Sequence, residues 1–358
     1  MEKPNTSQAP KPVTLALQGG GSHGALTWGV LDRILEDPRI SIAEISGTSA
    51  GAMNAIVLAD GYESGGREGA RRALHDFWKA ISDMARFSPI QRTPLDRLVG
   101  NYNLDASPGY LFFEGMSRMF SPYDLNPAEI NPLRDLLERQ VNFDRVNRCR
   151  DIKVHVTATN VRSGQARIFS RGGVTLDAIM ASACLPQIYP AVEIDGQHYW
   201  DGGFSGNPAL LPLIETTSTA DVIIVQINPV IRRDLPMTAR EIINRTNEIS
   251  FNTALIKELR AIHLMQRLIA AEGLDVGPAG HTYLHLIHAD EELQDLAASS
   301  KMNAEWSYLE LLFGHGRRWA DQWLETHFDA IGERGTLDLD GLFRDPATPT
   351  APDPHDKA

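Results

Sequence analysis

Residues 42–51, Ile-Ala-Glu-Ile-Ser-Gly-Thr-Ser-Ala-Gly, constrain the fold of this chain more than any other stretch. An apolar run with two isoleucines leads into Gly-x-Ser-x-Gly, and an Ala-rich helical segment follows from Ala50. A strand that turns this sharply into a helix leaves no room for side chains on the inside of the bend. Gly47 and Gly51 meet that demand, and Ser49 at the apex is pushed out of the fold, flanked by Thr48 and Ala50. The backbone N–H groups of the helix opening at Ala50 face the same point, and their partial positive charge favours an anion developing beside Ser49. Gly-x-Ser-x-Gly also occurs by chance in loops, so its neighbours decide what it does.

Upstream, Val13-Thr14-Leu15-Ala16-Leu17 has the apolar character of a first strand. Gln18-Gly19-Gly20-Gly21-Ser22-His23-Gly24 follows, and then a segment that sets Leu31, Ile34 and Leu35 on one helical face. The order strand, Gly-rich loop, helix, strand, elbow, helix predicts adjacent parallel strands whose loops lie side by side at the carboxyl edge of a sheet. Three consecutive glycines bare a row of N–H groups at a helix N-terminus, an anion-binding arrangement. Two chemistries can use it. Gly19-x-Gly21-x-x-Gly24 fits the dinucleotide fingerprint, with Glu44 near the place of a ribose-binding acid, which would make the chain a nucleotide-dependent oxidoreductase. Acyl transfer instead requires a nucleophile together with oxyanion donors, and the serine elbow directly after the second strand favours it.

Residues 191–203 form a third element. Asp195-Gly196 makes a hairpin turn, and His198-Tyr199-Trp200 leads to Asp201-Gly202-Gly203. Two glycines after an acid at a strand end allow a close backbone approach. Taken alone, Asp-Gly-Gly reads as one more turn.

Together and in this order, Gly19-Gly20-Gly21-Ser22-His23-Gly24, Gly47-Thr48-Ser49-Ala50-Gly51 and Asp201-Gly202-Gly203 resemble the patatin-like phospholipase family. Ala181-Ser182-Ala183-Cys184-Leu185-Pro186 is a fourth match, and the resemblance covers about residues 13–230. It implies a lipid acyl hydrolase or esterase, phospholipase A-like, that works through an acyl-enzyme without cofactor or metal. Ser49 would be the nucleophile and Asp201 the base of a Ser–Asp dyad. The loop of Gly19, Gly20, Gly21, Ser22, His23 and Gly24 would form the oxyanion hole, with the N–H groups of Gly20 and Gly21, and of Ser22 or Ala50, as donors. One departure stands out: the family often has Arg or Lys where His23 stands, so a cationic anchor is lost there unless His23 is protonated. A carboxylate with a free pKa of about 3.9 is a weak base. It serves only if held within hydrogen-bond reach in a site that excludes water. The rival is a conventional triad in the order Ser, acid, His. His263, His281, His285, His288 and His315 follow Asp201, Asp177 is another acid, and alternation along a late strand over 281–288 sets His285 on the face of Tyr283 and Ile287.

The patterning predicts an α/β fold of three layers, a mainly parallel sheet with helices on both faces and a helical C-terminal extension. Residues 1–12 read as a flexible arm, 13–230 as the catalytic domain with a helical insertion over about 87–140, 231–344 as the extension, and 345–358 as a Pro-rich disordered tail. Amphipathic helices are expected over 68–85, from Pro132, over 239–271 and over 305–328. Strands are expected over 153–159 and 221–227. Within the insertion, Leu111, Phe112, Phe113, Met116, Met119, Phe120 and Tyr123 fit either a lid or acyl-binding wall, or the packed core of a helical insertion.

Charge narrows the partners. A net charge of −12 argues against nucleic acid and against strong attraction to an anionic bilayer, but is compatible with zwitterionic or dispersed lipid and ester substrates. Peripheral membrane contact and a homodimer both stay open. The two cysteines, Cys149 and Cys184, show no metal-ligand spacing and suit a reducing cytoplasm. Neither an apolar leader nor a run of ~18 apolar residues is visible, which fits a cytoplasmic protein.

Overall fold

The computed structural model describes residues 9–273, 282–288, 293 and 296–343. The chain opens with β1 (Lys11–Leu17), α1 (Gly24–Glu36), β2 (Ile40–Thr48) and α2 (Ala50–Ala85). Five short helices follow: α3 (Pro94–Leu98), α4 (Pro108–Met119), α5 (Pro122–Leu125), α6 (Pro132–Gln140) and α7 (Phe143–Arg148). Then come β3 (Lys153–Asn160), β4 (Ala166–Phe169), α8 (Leu176–Ser182), β5 (Val192–Ile194), β6 (Gln197–Asp201), α9 (Leu211–Thr216) and β7 (Asp221–Val225). The rest comprises α10 (Ala239–Glu272), β8 (Tyr283–Ile287), α11 (Trp306–His327) and α12 (Leu339–Phe343).

One sheet runs β5-β6-β3-β2-β1-β7-β8, with β4 also on β3. The stretch β3-β2-β1-β7-β8 is parallel, and the pairings of β4 with β3, β6 with β3 and β5 with β6 are antiparallel. The mainly parallel α/β architecture therefore matches the sequence pattern. β1 and β7 are buried along almost their whole length, which explains their unbroken apolar character.

The register of β3 matters most for the site. Thr157 pairs with Thr48 of β2 on one edge and with Ile168 of β4 on the other. Ala158, the next residue, pairs with Asp201 of β6 and with Arg167 of β4. β4 occupies one edge throughout, so β2 and β6 share the opposite edge and meet there end to end. The strand before the serine elbow and the strand before Asp-Gly-Gly thus finish on adjacent residues of β3.

The helices depart from expectation in two places. The helix over 68–85 is the second half of α2, which is interrupted only by non-helical backbone at Gly65 and Gly66 (φ +61°). In the insertion, α3, α4, α5 and α6 each begin with Pro after a capping Thr93, Ser107, Ser121 or Asn131, so the prolines start helices there. α4 buries no residue: Phe112 and Met119 are 71% and 77% exposed. Phe113 and Met116 of the same helix are half-buried.

The region after residue 230 is more than a helical addition. β8 pairs with β7 from Asp221↔Tyr283 to Val225↔Ile287, which covers an edge that would otherwise stay open. α11 crosses α1 so closely that a Cβ on Gly316 would stand 1.9 Å from the Leu26 carbonyl oxygen. Its Tyr308, Leu309, Leu312 and Trp319 share one core with β1, β2 and α1. Lys11 and Pro12, assigned to the arm from sequence, already belong to β1. Residues 1–8, the tail over 345–358 and His281 lie outside the described residues. No helix among the described residues is long and apolar enough to cross a membrane.

Candidate active site

Ser49 sits between Thr48, the last residue of β2, and Ala50, the first of α2, at φ +53° and ψ −121°. A left-handed φ is costly for a residue with a side chain, and the surroundings hold it in place. Ser49 N donates to Ser182 Oγ at 2.9 Å, and Met53 N donates to Ser49 O at 3.0 Å. A Cβ on Gly47 would stand 2.5 Å from the Gly51 carbonyl carbon, and one on Gly51 would stand 2.4 Å from the Leu17 carbonyl oxygen. The two glycines are therefore demanded by contact between elbow and sheet. α2 begins without a side-chain cap, so its first N–H groups, including that of Ala50, are not taken up by one.

Asp201 closes β6 and is 1% exposed. Its N–H donates to Cys184 O at 2.7 Å, its carbonyl accepts from Thr159 Oγ1 at 2.8 Å, and Gly203 N donates to its Oδ1 at 2.7 Å. A Cβ on Gly202 would stand 2.1 Å from the Thr157 carbonyl oxygen, so the chain must bend against β3 here with no side chain. Burial pushes the Asp201 carboxyl up to about 7, against the opposing pull of hydrogen bonds from Gly203 N–H and the Ser49 side chain. Ser49 and Asp201 are thus brought together, the one by the end of β2 and the other by the end of β6.

The Gly-rich loop lies against this pair: a Cβ on Gly19 would stand 2.8 Å from Ser49 Cβ. Its six residues do different jobs. Gly19 N donates to Asn207 Oδ1 (2.7 Å), His23 N to Gly20 O (3.2 Å), and Gly24 N to the carbonyls of Gly21 and Ser22. The N–H groups of Gly20, Gly21 and Ser22 have no acceptor among the described residues and are the ones left for a ligand. His23 is turned away and buried. Its Nε2 lies in hydrogen-bond contact with Ser300 Oγ (2.8 Å), which is also 2.7 Å from Ala297 O. Burial, with Lys301 and Arg232 nearby, holds the imidazole well below its usual pKa, so His23 is neutral and is no cationic anchor.

The rival readings lose their key residues. Glu44 is buried midway along β2, level with Lys153 at the start of β3, and accepts from Lys153 Nζ (2.9 Å), His155 Nε2 (3.0 Å) and Ser218 N (3.2 Å). It has no free oxygen for a ribose at the carboxyl edge. His285 lies on β8, three strands from β2, between Asp221 Oδ1 (3.0 Å) and Thr336 Oγ1 (2.9 Å). At ~4.8 Å per strand that separation is far beyond reach of Ser49. His263 pairs with Asp340, and Asp177 with Arg134.

Several residues that shape the site carry no sequence signal of their own. Ser182 and Cys184 fall inside the Ala181–Pro186 match, and only the fold shows that one holds the elbow and the other holds Asp201. Gln18 is fully buried: its Oε1 accepts from Ile227 N and Asn228 N, and its Nε2 donates to Asn207 O and Asn252 Oδ1. Both cysteines are buried free thiols. Among the described residues there is no group of three His, Cys, Asp or Glu that could hold a metal.

A family model described as patatin-like phospholipase matches residues 15–214, which include Ser49, Asp201 and the Gly-rich loop. No curated protein matches the chain. Among solved structures it is similar to VipD from Legionella pneumophila, at 16% identity and a TM-score of 0.34, over 86% of this chain and 67% of that one. It is also similar to the heterodimeric ExoU–SpcU complex from the type III secretion system of Pseudomonas aeruginosa, at 15% identity and a TM-score of 0.32. That match covers 88% of this chain but spans only 53% of the other.

Proposed function

We propose that this chain, which belongs to the patatin-like phospholipase family of lipid hydrolases, cleaves carboxylic esters of lipids through a Ser49–Asp201 dyad and an acyl-enzyme. The observation that carries the reading is the junction on β3, where the ends of β2 and β6 set a serine against a buried carboxylate raised to about 7. A carboxylate poised there is half ionised near neutrality, the range in which a general base both holds its proton acceptor free and has driving force to use it.

In the first step the ionised Asp201 takes the Ser49 proton as Ser49 Oγ attacks the ester carbonyl. The N–H groups of Gly20, Gly21 and Ser22, with that of Ala50 at the helix end, receive the developing oxyanion. The tetrahedral adduct collapses, and the alcohol or lysolipid leaves with the proton from Asp201. Asp201 then deprotonates a water that attacks the acyl-enzyme, and the fatty acid departs as Ser49 regains its proton. The exposed apolar side chains of α4, with Phe204 and Phe251 beside Gly203, favour an aliphatic substrate presented from a lipid surface.

The test is hydrolysis of p-nitrophenyl esters of several acyl lengths and of phosphatidylcholine vesicles by the parent, Ser49→Ala and Asp201→Asn. Loss of turnover in both variants, with circular dichroism unchanged, is the expected result. Activity that survives Ser49→Ala would overturn the dyad.

A further inference from the structure

The loop that faces Ser49 carries no charge of its own, since His23, the only titratable side chain in Gln18–Gly24, is neutral. A charge stands directly behind it. Lys301, on the short turn Ala298–Met302, points its Nζ at Asn228 Oδ1 (2.7 Å). The other end of that amide, Asn228 Nδ2, donates to the Gly19 carbonyl (2.7 Å) and to Gln18 Oε1 (3.2 Å). Gly19 C=O and Gly20 N–H belong to one peptide unit. In a trans peptide the two point in opposite directions, so Asn228 grips the back of the unit whose N–H faces away from it. Gly20 N–H is one of the donors with no acceptor among the described residues. Lys301 also braces the next residue: a Cβ on Gly21 would stand 2.5 Å from the Lys301 carbonyl oxygen.

We propose that Lys301 is a positioning residue for ester hydrolysis, relaying its positive charge through Asn228 and the Gly19–Gly20 peptide to the oxyanion donor Gly20 N–H. A hydrogen bond to a carbonyl polarises its amide and strengthens the N–H on the other side, and a cationic donor at the head of the chain strengthens each link. The ammonium does not touch substrate. Its effect is felt when negative charge develops on the ester oxygen, so it acts on kcat rather than on binding.

The groups around Lys301 make this charge titratable within the working range. Burial disfavours the ammonium most, Glu248 of α10 favours it and Arg232 opposes it further, and the balance lowers Lys301 to about 8. Glu248 is shared with Arg232 (2.5 Å) and Arg245 (3.2 Å), so Lys301 does not have that carboxylate to itself. His23, another titratable neighbour, is already neutral there.

The inference rests on the Ser49–Asp201 reading, and the experiment separates the two. kcat and KM for p-nitrophenyl butyrate are measured from pH 5 to 10 for the parent, Ser49→Ala, Lys301→Met and Lys301→Arg, with fluorophosphonate labelling of each protein. In the parent, kcat should rise through about 7 as Asp201 ionises and fall above about 8 as Lys301 loses its proton. Lys301→Met should lower kcat about tenfold at pH 7.5 with KM within twofold, and should lose the alkaline fall. Lys301→Arg should recover most of kcat and hold it flat to pH 10, because guanidinium does not titrate there. Parent-like kcat and an unchanged alkaline limb in Lys301→Met would overturn the proposal while Ser49→Ala stays inactive. If Lys301→Met does not fold, an alkaline limb that Lys301→Arg leaves in place does the same. Activity and labelling that persist in Ser49→Ala would instead bring down the dyad itself.

Discussion

Glu44 and Asp201 are two carboxylates buried in the same sheet, 0% and 1% exposed, and their environments drive them in opposite directions. Glu44, midway along β2, is met by Lys153, His155 and Ser218, and these partners outweigh its burial and lower it to about 2. Asp201, at the carboxyl edge, has one backbone N–H and a serine hydroxyl, and burial wins, raising it to about 7. A buried acid with cations around it is a permanent anion that ties strands together. A buried acid left without a cation keeps a proton that it can take and return. The same residue chemistry therefore yields a structural tie within the sheet and a candidate base at its carboxyl edge.

The largest effect that would sharpen this contrast is on turnover. Asp201→Asn should lower kcat on p-nitrophenyl esters by roughly 10³-fold or more, whereas Glu44→Gln should leave kcat within about threefold. Equal losses in steady-state assays would break the comparison. Stability should show the reverse. Glu44→Gln leaves Lys153 and His155 without their anion and should cost about 2 kcal/mol in urea unfolding, less than a fully buried pair because Lys153 is 40% exposed.

The pH dependence of stability should have opposite signs at the two sites. Asp201 has a folded pKa above its unfolded value, so its contribution is complete below about 4 and is lost as pH rises through 7. Asp201→Asn should gain on the parent in melting temperature between pH 5 and 8. Glu44 is depressed, so its contribution is present above about 4.3 and is lost only as pH falls through 2. The parent's advantage over Glu44→Gln should then be flat from pH 5 to 8 and shrink in acid. A parallel drift of both differences would contradict the assignment.

The smallest effect concerns the exposed apolar surface of α4. Phe112→Ser with Met119→Ser removes two side chains that α4 leaves in solvent. Hydrolysis of long-chain phosphatidylcholine vesicles should fall about three- to tenfold, with p-nitrophenyl butyrate unaffected. A uniform loss on both substrates would mean that α4 supports the fold and not the lipid surface.

Much of this was legible in the linear chain because it depends on local geometry. Gly47, Ser49 and Gly51 announce an elbow since any side chain at the glycines would strike the backbone of the adjacent turn and strand. Asp195-Gly196 announces its hairpin through two positive φ values, +52° and +71°. The roles within the Gly-rich loop were not legible. Six residues look alike as donors, yet Asn207, distant in sequence, occupies Gly19 N–H, and Ser300 turns His23 away. The exposed face of α4 was equally ambiguous, because an apolar stripe at helical spacing has the same pattern whether or not another element covers it.

The sequence by itself determined the order of strands, loops and helices, the serine at the apex of a tight turn and the acid at the end of a hairpin, because turns and periodicities are set by neighbours a few residues away. Only the tertiary structure decided that β2 and β6 meet on one edge of β3, that Asp201 is desolvated while Glu44 is matched by cations, and that Lys301 lies behind Gly19. Burial and charge proximity depend on which distant segments the fold packs together, and the local pattern carries no record of them.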